Sequence, residues 1–282
     1  MMRQRARSLL APKAMSTRPR SSLIPRLHLI ELHEQPWTPE ELRRFATDFL
    51  HTAATVMRMF DPIAPKLAEL VRASGEGSVV DLCSGGTGPL LQLTDRLRER
   101  GVEARVIMTD LFPNLTAFER GREASGGRLD FEPEPVDARR VPERLRGVRT
   151  LFNAFHHFRP YEARAILADA AAQGAPILVV ESVDRSVTGV LKTLGIPLTV
   201  LLFAPFVRPV TLLRLLMTYV VPVAPALIFF DGVVSTLRCY RTDELLDLAQ
   251  GLGGEGYVWE AGETRGPGGV ILTWLAGRPA GT

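Results

Sequence analysis

From Asp81 to Gly88 the chain reads Asp-Leu-Cys-Ser-Gly-Gly-Thr-Gly, directly after a short apolar run rich in β-branched residues. A strand that stops at a glycine loop and opens a helix lets backbone come close to a ligand, with the first N–H groups of the helix turned toward it. Asp110 follows 29 residues after Asp81, at the end of a second apolar run. A carboxylate in that position can accept two hydroxyl hydrogen bonds from a ribose diol. Taken alone, loop and acid fit any nucleoside-bearing ligand, nicotinamide cofactors included, or a bare tight turn.

Placing such a loop takes a sheet, and the pattern of the chain supplies one. Residues 37–73 read as helical, with Thr38 as N-cap, Pro39 in the first helical position, Glu40 and Glu41 in the first turn, and a second helix after Asp61-Pro62. Strands are expected over 78–82, 105–110, 131–136, 149–152 and 175–181, with a helix over 87–100 that ends at Gly101. Strands alternating with helices at this spacing imply right-handed crossovers and a parallel sheet. Residues 257–260 and 270–275 are two more strands with only a Gly-rich loop between them, so they should pair as an antiparallel hairpin. The expected fold is α/β: a Rossmann-like seven-stranded sheet, mostly parallel with a C-terminal antiparallel hairpin, and helices on both faces.

Composition narrows the class. At 282 residues, 46% hydrophobic and 23% charged, the chain can bury an ample core. The net charge of +3 comes from its beginning: residues 1–30 hold seven of the 34 basic residues and no acid, leaving 27 against 31 acids and a net charge of about −4 elsewhere. A slightly acidic body argues against nucleic acid as a partner. The basic tail has no apolar core of secretory-signal length and reads as disordered. Cys83 and Cys239 form neither a disulfide framework nor a metal-ligand spacing, so a reducing cytoplasm and no metal are expected.

Several features point away from a dehydrogenase. The residues four after Tyr161, Tyr219, Tyr240 and Tyr257 are Ala165, Val223, Glu244 and Ala261, so no Tyr-x-x-x-Lys exists. The loop glycines stand at 85, 86 and 88, off the G-x-G-x-x-G spacing. With helices before the first strand and a closing hairpin, the chain from about Glu31 to Arg278 resembles the class I S-adenosylmethionine-dependent methyltransferases. Asp81 to Pro89 resembles that family's first motif, with Cys83 in place of its first glycine and Thr87 where the third often falls. The resemblance implies that Asp81, Cys83, Ser84, Gly85, Gly86 and Gly88 lie under the methionine part of S-adenosyl-L-methionine. It implies Asp110 for the ribose, Leu111 or Phe112 against the adenine, and Asp137 with Ala138 at the adenine amino group. Asn153 to Phe158 matches the segment bordering cofactor and substrate, and Arg238 to Leu245 the lead-in to the last helix.

Methyl transfer is an in-line displacement at a sulfonium, and many acceptors must lose a proton. His156 and His157 are the candidates for the base, since histidine takes a proton near neutrality; the alternative is that one of them orders its loop. Glu181 would face the pocket or hold an arginine. Between residues 186 and 235 the chain turns unusually apolar: 193–207 and 215–230 carry no charge, are shorter than the ~20 residues of a membrane span, and are broken by Pro197, Pro205, Pro209, Pro222 and Pro225. A lid over an apolar acceptor site is favoured, with a dimer interface or a patch dipping into a membrane surface as further readings; Asp231 is expected to cap the next helix, with a place in the pocket mouth as the alternative. The organisation expected is thus a tail (1–30), a helical cap (31–75), a cofactor-binding core (76–185), the insertion (186–235) and the end of the core with its hairpin (236–282). The function expected is methyl transfer to an O, N or C atom of a small hydrophobic or aromatic molecule. An NAD-dependent oxidoreductase and a membrane-associated scaffold with a vestigial cofactor fold are the alternatives.

Overall fold

Seven strands form one sheet in the order β3-β2-β1-β4-β5-β7-β6 in the computed structural model, which describes residues 24–281. The strands are β1 (Ser78–Asp81), β2 (Arg105–Met108), β3 (Leu129–Phe131), β4 (Val148–Phe152), β5 (Ile177–Glu181), β6 (Tyr257–Arg265) and β7 (Ile271–Pro279). The first five pair in parallel, β7 joins β5 antiparallel, and β6 and β7 make the hairpin. Because successive strand residues face opposite sides, Val79, Leu178 and Val180 enter one core with the helices α2 (Ala64–Ser74), α3 (Leu90–Arg98) and α4 (Leu115–Ala124). Val80, Leu151 and Val179 enter the other, under α5 (Pro160–Ala172) and α10 (Thr242–Ala249). This is the expected Rossmann-like α/β plan, a mostly parallel seven-stranded sheet closed by an antiparallel hairpin with helices on both faces.

Element ends depart from expectation where proline or a tertiary contact intervenes. The third strand is Leu129–Phe131, not 131–136, since Pro133 and Pro135 have no N–H to give a ladder. Val136 instead donates its N–H to the Asp110 carbonyl (2.8 Å), which fixes the segment beside the end of β2. The first helix, α1 (Glu40–Val56), has Pro39 at its N-cap, and the Thr38 hydroxyl turns back to the Leu32 carbonyl instead of capping. Both hairpin strands run longer than expected, to Arg265 and Pro279. Residues 1–23 of the basic tail lie outside the described residues. Residues 24–30, assigned to that tail, lie against the body: Leu27 N–H bonds the Leu237 carbonyl (3.0 Å), and the Arg26 guanidinium stacks 3.8 Å from the Tyr240 ring centroid.

The apolar insertion forms α6 (Val187–Thr193), α7 (Ile196–Phe203), α8 (Leu212–Leu215), a π-helical turn at Leu216–Val220, and α9 (Val223–Arg238). Its inner side builds a third core with α1, in which Phe45 and Phe49 meet Val200, Ala204, Leu227 and Ile228. Two cations behave differently here. Arg214 is buried, with Nε 2.6 Å from Glu41 and Nη2 2.8 Å from Asp48, whereas Arg208 is exposed. Length does not exclude a membrane span as the sequence suggested: α6 and α7 make one run, Val187–Phe206, of 20 residues that is long and apolar enough to cross.

Candidate active site

Strand order reverses between β1 and β4, and the carboxyl ends of open α/β strands at such a switch point form the ligand crevice. Asp81 ends β1 there and stands in register with Thr150 of β4. Its buried carboxylate accepts hydrogen bonds from the Thr150 hydroxyl (2.6 Å) and the Ser84 hydroxyl (2.7 Å). Burial raises its pKa to about 7, since two hydroxyls only partly replace water and nearby Asp110 adds repulsion.

The loop beyond Asp81 has the conformation that glycine permits. Gly85 and Gly88 have φ of +57° and +46°, and Cys83 adopts +58° as a non-glycine residue. A residue with a side chain rarely enters this left-handed region, so Cys83 holds a conformation that a glycine, which the resemblance places at 83, would take more easily. The thiol is pushed well above its usual range by burial and by the carboxylates of Asp110, Asp81 and Asp137.

Asp110 accepts from Gly85 N–H (2.8 Å) and Phe112 N–H (2.9 Å), which brings the end of β2 against the glycine loop. Leu111 and Phe112 beside it are exposed. Asp137 is close by in the fold but occupied: its carboxylate holds the Arg139 guanidinium (2.7 Å) and N–H (2.9 Å), and Arg139 keeps its pKa low. Ala138 is buried. Gly86, with a negative φ, lies against Ala117 of α4. Asn153 takes a left-handed φ of +50° at the end of β4 and accepts from Ser182 N–H (2.7 Å), which ties the ends of β4 and β5 together.

The two histidines occupy a 3-10 turn, Phe155–His157, and differ in state. Buried His156 donates its backbone N–H to Glu181 Oε1 (3.0 Å), and its Nδ1 lies 2.7 Å from Oε2. Glu181 therefore neither opens into the pocket nor holds an arginine. Burial alone would depress the His156 pKa; Glu181, with Glu31 3.6 Å from Nε2, outweighs it and raises the value to about 9. His157 moves the other way: burial and the His156 charge, with ring centroids 4.2 Å apart, lower its pKa. Its Nδ1 lies 2.5 Å from Glu34, held as a carboxylate near pKa 2 although burial opposes ionisation. A neutral imidazole facing a carboxylate donates through Nδ1, so its lone pair is on Nε2.

Behind the histidines lies a group of charges that sequence reasoning did not find. Glu31, buried yet held at about 2 by His156 and Arg238, accepts from the Ser235 hydroxyl (2.9 Å). Arg238 Nη1 reaches Glu31 (3.3 Å) and Glu34 (3.2 Å), and Nη2 donates to the His157 carbonyl (3.0 Å). Asp231 is no helix cap. It sits inside α9 and accepts from Leu32 N–H (2.6 Å), His33 N–H (3.0 Å) and His33 Nδ1 (2.9 Å). Glu31, His156 and His157 each offer a ligand atom within 4.8 Å of the others. Arg238 and the His156 imidazolium already balance Glu31, so the trio reads as a compensated charge cluster. Of this cluster the sequence marks His156 and His157 as base candidates and Glu181 and Asp231 as acids bordering apolar runs; Glu31, Glu34 and Arg238 carry no local signal for it.

No protein-family model and no curated protein sequence matches the chain. Among solved structures, it is similar to an O-methyltransferase family protein from Burkholderia thailandensis, with 21% identity over 84% of this chain and 61% of that one and a TM-score of 0.46. It is also similar to the O-methyltransferase of neocarzinostatin biosynthesis, solved with S-adenosylmethionine and 2-hydroxy-5-methyl naphthoic acid (18% identity, 84% and 58% covered, TM-score 0.49). A third is an O-methyltransferase family 2 protein from Planctomyces limnophilus in complex with apigenin (14%, 85% and 62%, 0.49). The chain spans about three fifths of the length of these proteins.

Proposed function

We propose that this protein transfers a methyl group from S-adenosylmethionine to an O, N or C atom of a small apolar or aromatic acceptor. The observation that carries this reading is the charge of the crevice. Asp81 ends β1 as a buried carboxylate with two hydroxyl partners, and Asp110 meets the same loop at the Gly85 N–H. A crevice lined by acids attracts a cationic ligand and repels an anionic one. S-adenosylmethionine brings a sulfonium and an ammonium; a dinucleotide brings an anionic pyrophosphate to the same loop. Asp110, beside Gly85, is placed for the ribose diol. Ser84, Gly86 and Gly88 would supply the close backbone approach beneath the methionine part, with Leu111 or Phe112 beside the adenine.

The protein's share of the reaction is to hold the acceptor in line with the sulfonium and, for a protic acceptor, to take its proton. His156, protonated and clamped between Glu181 and Glu31, positions the turn. His157 is the base of this reading, because its pKa is lowered and Glu34 leaves its Nε2 lone pair free. Acceptor selection is assigned to the helical layer of α1 and α6–α9, whose apolar surface suits a hydrophobic molecule better than a nucleic acid. The test is thermal unfolding with S-adenosylmethionine, its demethylated product and NAD in parallel. Either sulfur nucleoside at a hundredfold excess over its Kd should stabilise the fold by about 2.7 kcal/mol. A shift with NAD alone would overturn the proposal.

A further inference from the structure

The outer side of the insertion has no counterpart in the rest of the fold. Leu194, Leu198, Leu202 and Phe206 recur every four residues, which stacks them on one helical face. They stand 64%, 61%, 60% and 69% exposed. A second row, Leu212, Leu216 and Val220, follows the same spacing along α8 and the π-helical turn, with Leu212 at 73% and Val220 at 68%. The Tyr219 hydroxyl bonds to the Leu201 carbonyl (2.5 Å), so the two rows belong to neighbouring elements. Soluble proteins rarely leave so many large apolar side chains contiguous and in water. A core helix would pass the same length and composition test as Val187–Phe206, but only 22% of its most apolar stretch is buried.

We propose that this face rests on an anionic lipid surface, as a monotopic contact and not as a span. Charge supports the choice of occupant. Between residues 186 and 230 the chain has Lys192, Arg208 and Arg214 and no acid, and residues 1–23 carry six basic residues and again no acid. Arg214 is neutralised internally by Glu41 and Asp48, while Lys192 and Arg208 stay exposed beside the apolar rows. An apolar face bordered by cations, together with a polybasic segment, is the combination that binds anionic leaflets. A second copy of the chain would bring the same cations against each other.

The inner side of these helices argues against a span. Val200, Ala204 and Leu227 pack on α1, and the buried Arg214 pairs would have to break for the helices to leave the body. Resting in the interface breaks none of them. The inference goes beyond methyl transfer and stands or falls independently of it.

Flotation of the full chain with vesicles of phosphatidylcholine, or of equal parts phosphatidylcholine and phosphatidylglycerol, tests it, with light-scattering mass measurement alongside. Wild type should float with the anionic vesicles, and less so as salt rises. Leu198→Glu with Leu202→Glu should lower binding at least about tenfold with the unfolding temperature unchanged, because both side chains are exposed. Removing residues 1–23 should weaken binding to the anionic vesicles by a similar factor and leave the unfolding temperature unchanged. Failure of wild type to float with either vesicle overturns the proposal. So does a dimer that the paired glutamates dissociate without any vesicle binding, since the occupant is then a second copy.

Discussion

At Asp81 a carboxylate sits out of water with two hydroxyls as partners, and burial raises its pKa from 3.8 to about 7. For an acid shifted upward, the stability that the group contributes is complete below its unfolded pKa and is lost as pH rises through the folded value. Without cofactor, the protein should therefore lose stability between about pH 4 and 7 on account of this one group. Asp81→Asn keeps an acceptor for one hydroxyl and a donor for the other while removing the charge. We expect it to stabilise the cofactor-free protein at pH 8, by a few kcal/mol at most at 1.36 kcal/mol per unit, and to weaken S-adenosylmethionine binding. Thermal unfolding and calorimetry on the same variant measure both. If the variant were less stable than wild type at pH 8, the carboxylate would already be compensated. Asp81 and Asp110 were legible in the sequence because each ends a β-branched run, and the chain need only be read locally to find them. The state of His156 was not, because it depends on Glu31 and Glu181, which are 125 and 25 residues away.

Elements read well where composition and tertiary demand agree. The runs leading into Asp81, Asp110, Phe152 and Glu181 are strands because β-branched and apolar residues suit a sheet buried on both faces. The third strand was misplaced because apolarity was weighed above the missing N–H groups of Pro133 and Pro135. In the insertion Pro209 and Pro222 fall between helices, but Pro197 and Pro205 lie within the one run Val187–Phe206 and Pro225 lies inside α9, so these three are not breaks; nor does the sequence show the partner of these helices. That partner is α1, and Arg214 is the charged link, stacked 5.5 Å from the Phe45 ring centroid with Glu41 and Asp48 on its guanidinium. Removing one side of a buried pair strands the other. Glu41 and Asp48 are about a third exposed, so solvent softens the loss. Arg214→Ala should cost about 2–3 kcal/mol in urea unfolding, while Arg208→Ala should cost under about 0.5 kcal/mol. Equal effects at the two positions would contradict the packing of the helical layer on α1.

Across the whole molecule, the charge cluster joins the segment before α1 to the ends of β4 and β5 and to α9. His156 is its cationic centre, with a pKa raised from 6.5 to about 9. For a histidine shifted upward, the stabilisation is complete below the unfolded pKa and is lost as pH rises through the folded one. Glu31, lowered from 4.5 to about 2, holds its contribution above pH 4.5 and loses it as pH falls toward 2. The cluster is therefore strongest between about pH 4.5 and 6.5. The Asp81 effect is complete by about pH 7.5, so a further fall between about pH 7.5 and 9.5, of order 2 kcal/mol, should come from His156. His156→Gln should flatten that limb in a series of melting curves; an unchanged slope in the variant would remove His156 from this role.

The sequence alone determined the sheet, the acid-lined glycine loop and the hairpin, because short-range pattern decides them: β-branched runs, a glycine loop, acids at strand ends. It also located the apolar insertion. Tertiary structure decided what those pieces face. It gave the insertion an inner side on α1 and an outer side left in solvent, a division that composition cannot show. It placed Glu31, Glu34 and Arg238, up to 207 residues apart, within hydrogen-bond or ion-pair reach of the histidine turn. Whether a histidine there is a base or a fixed cation depends on the field of groups brought in from distant parts of the chain.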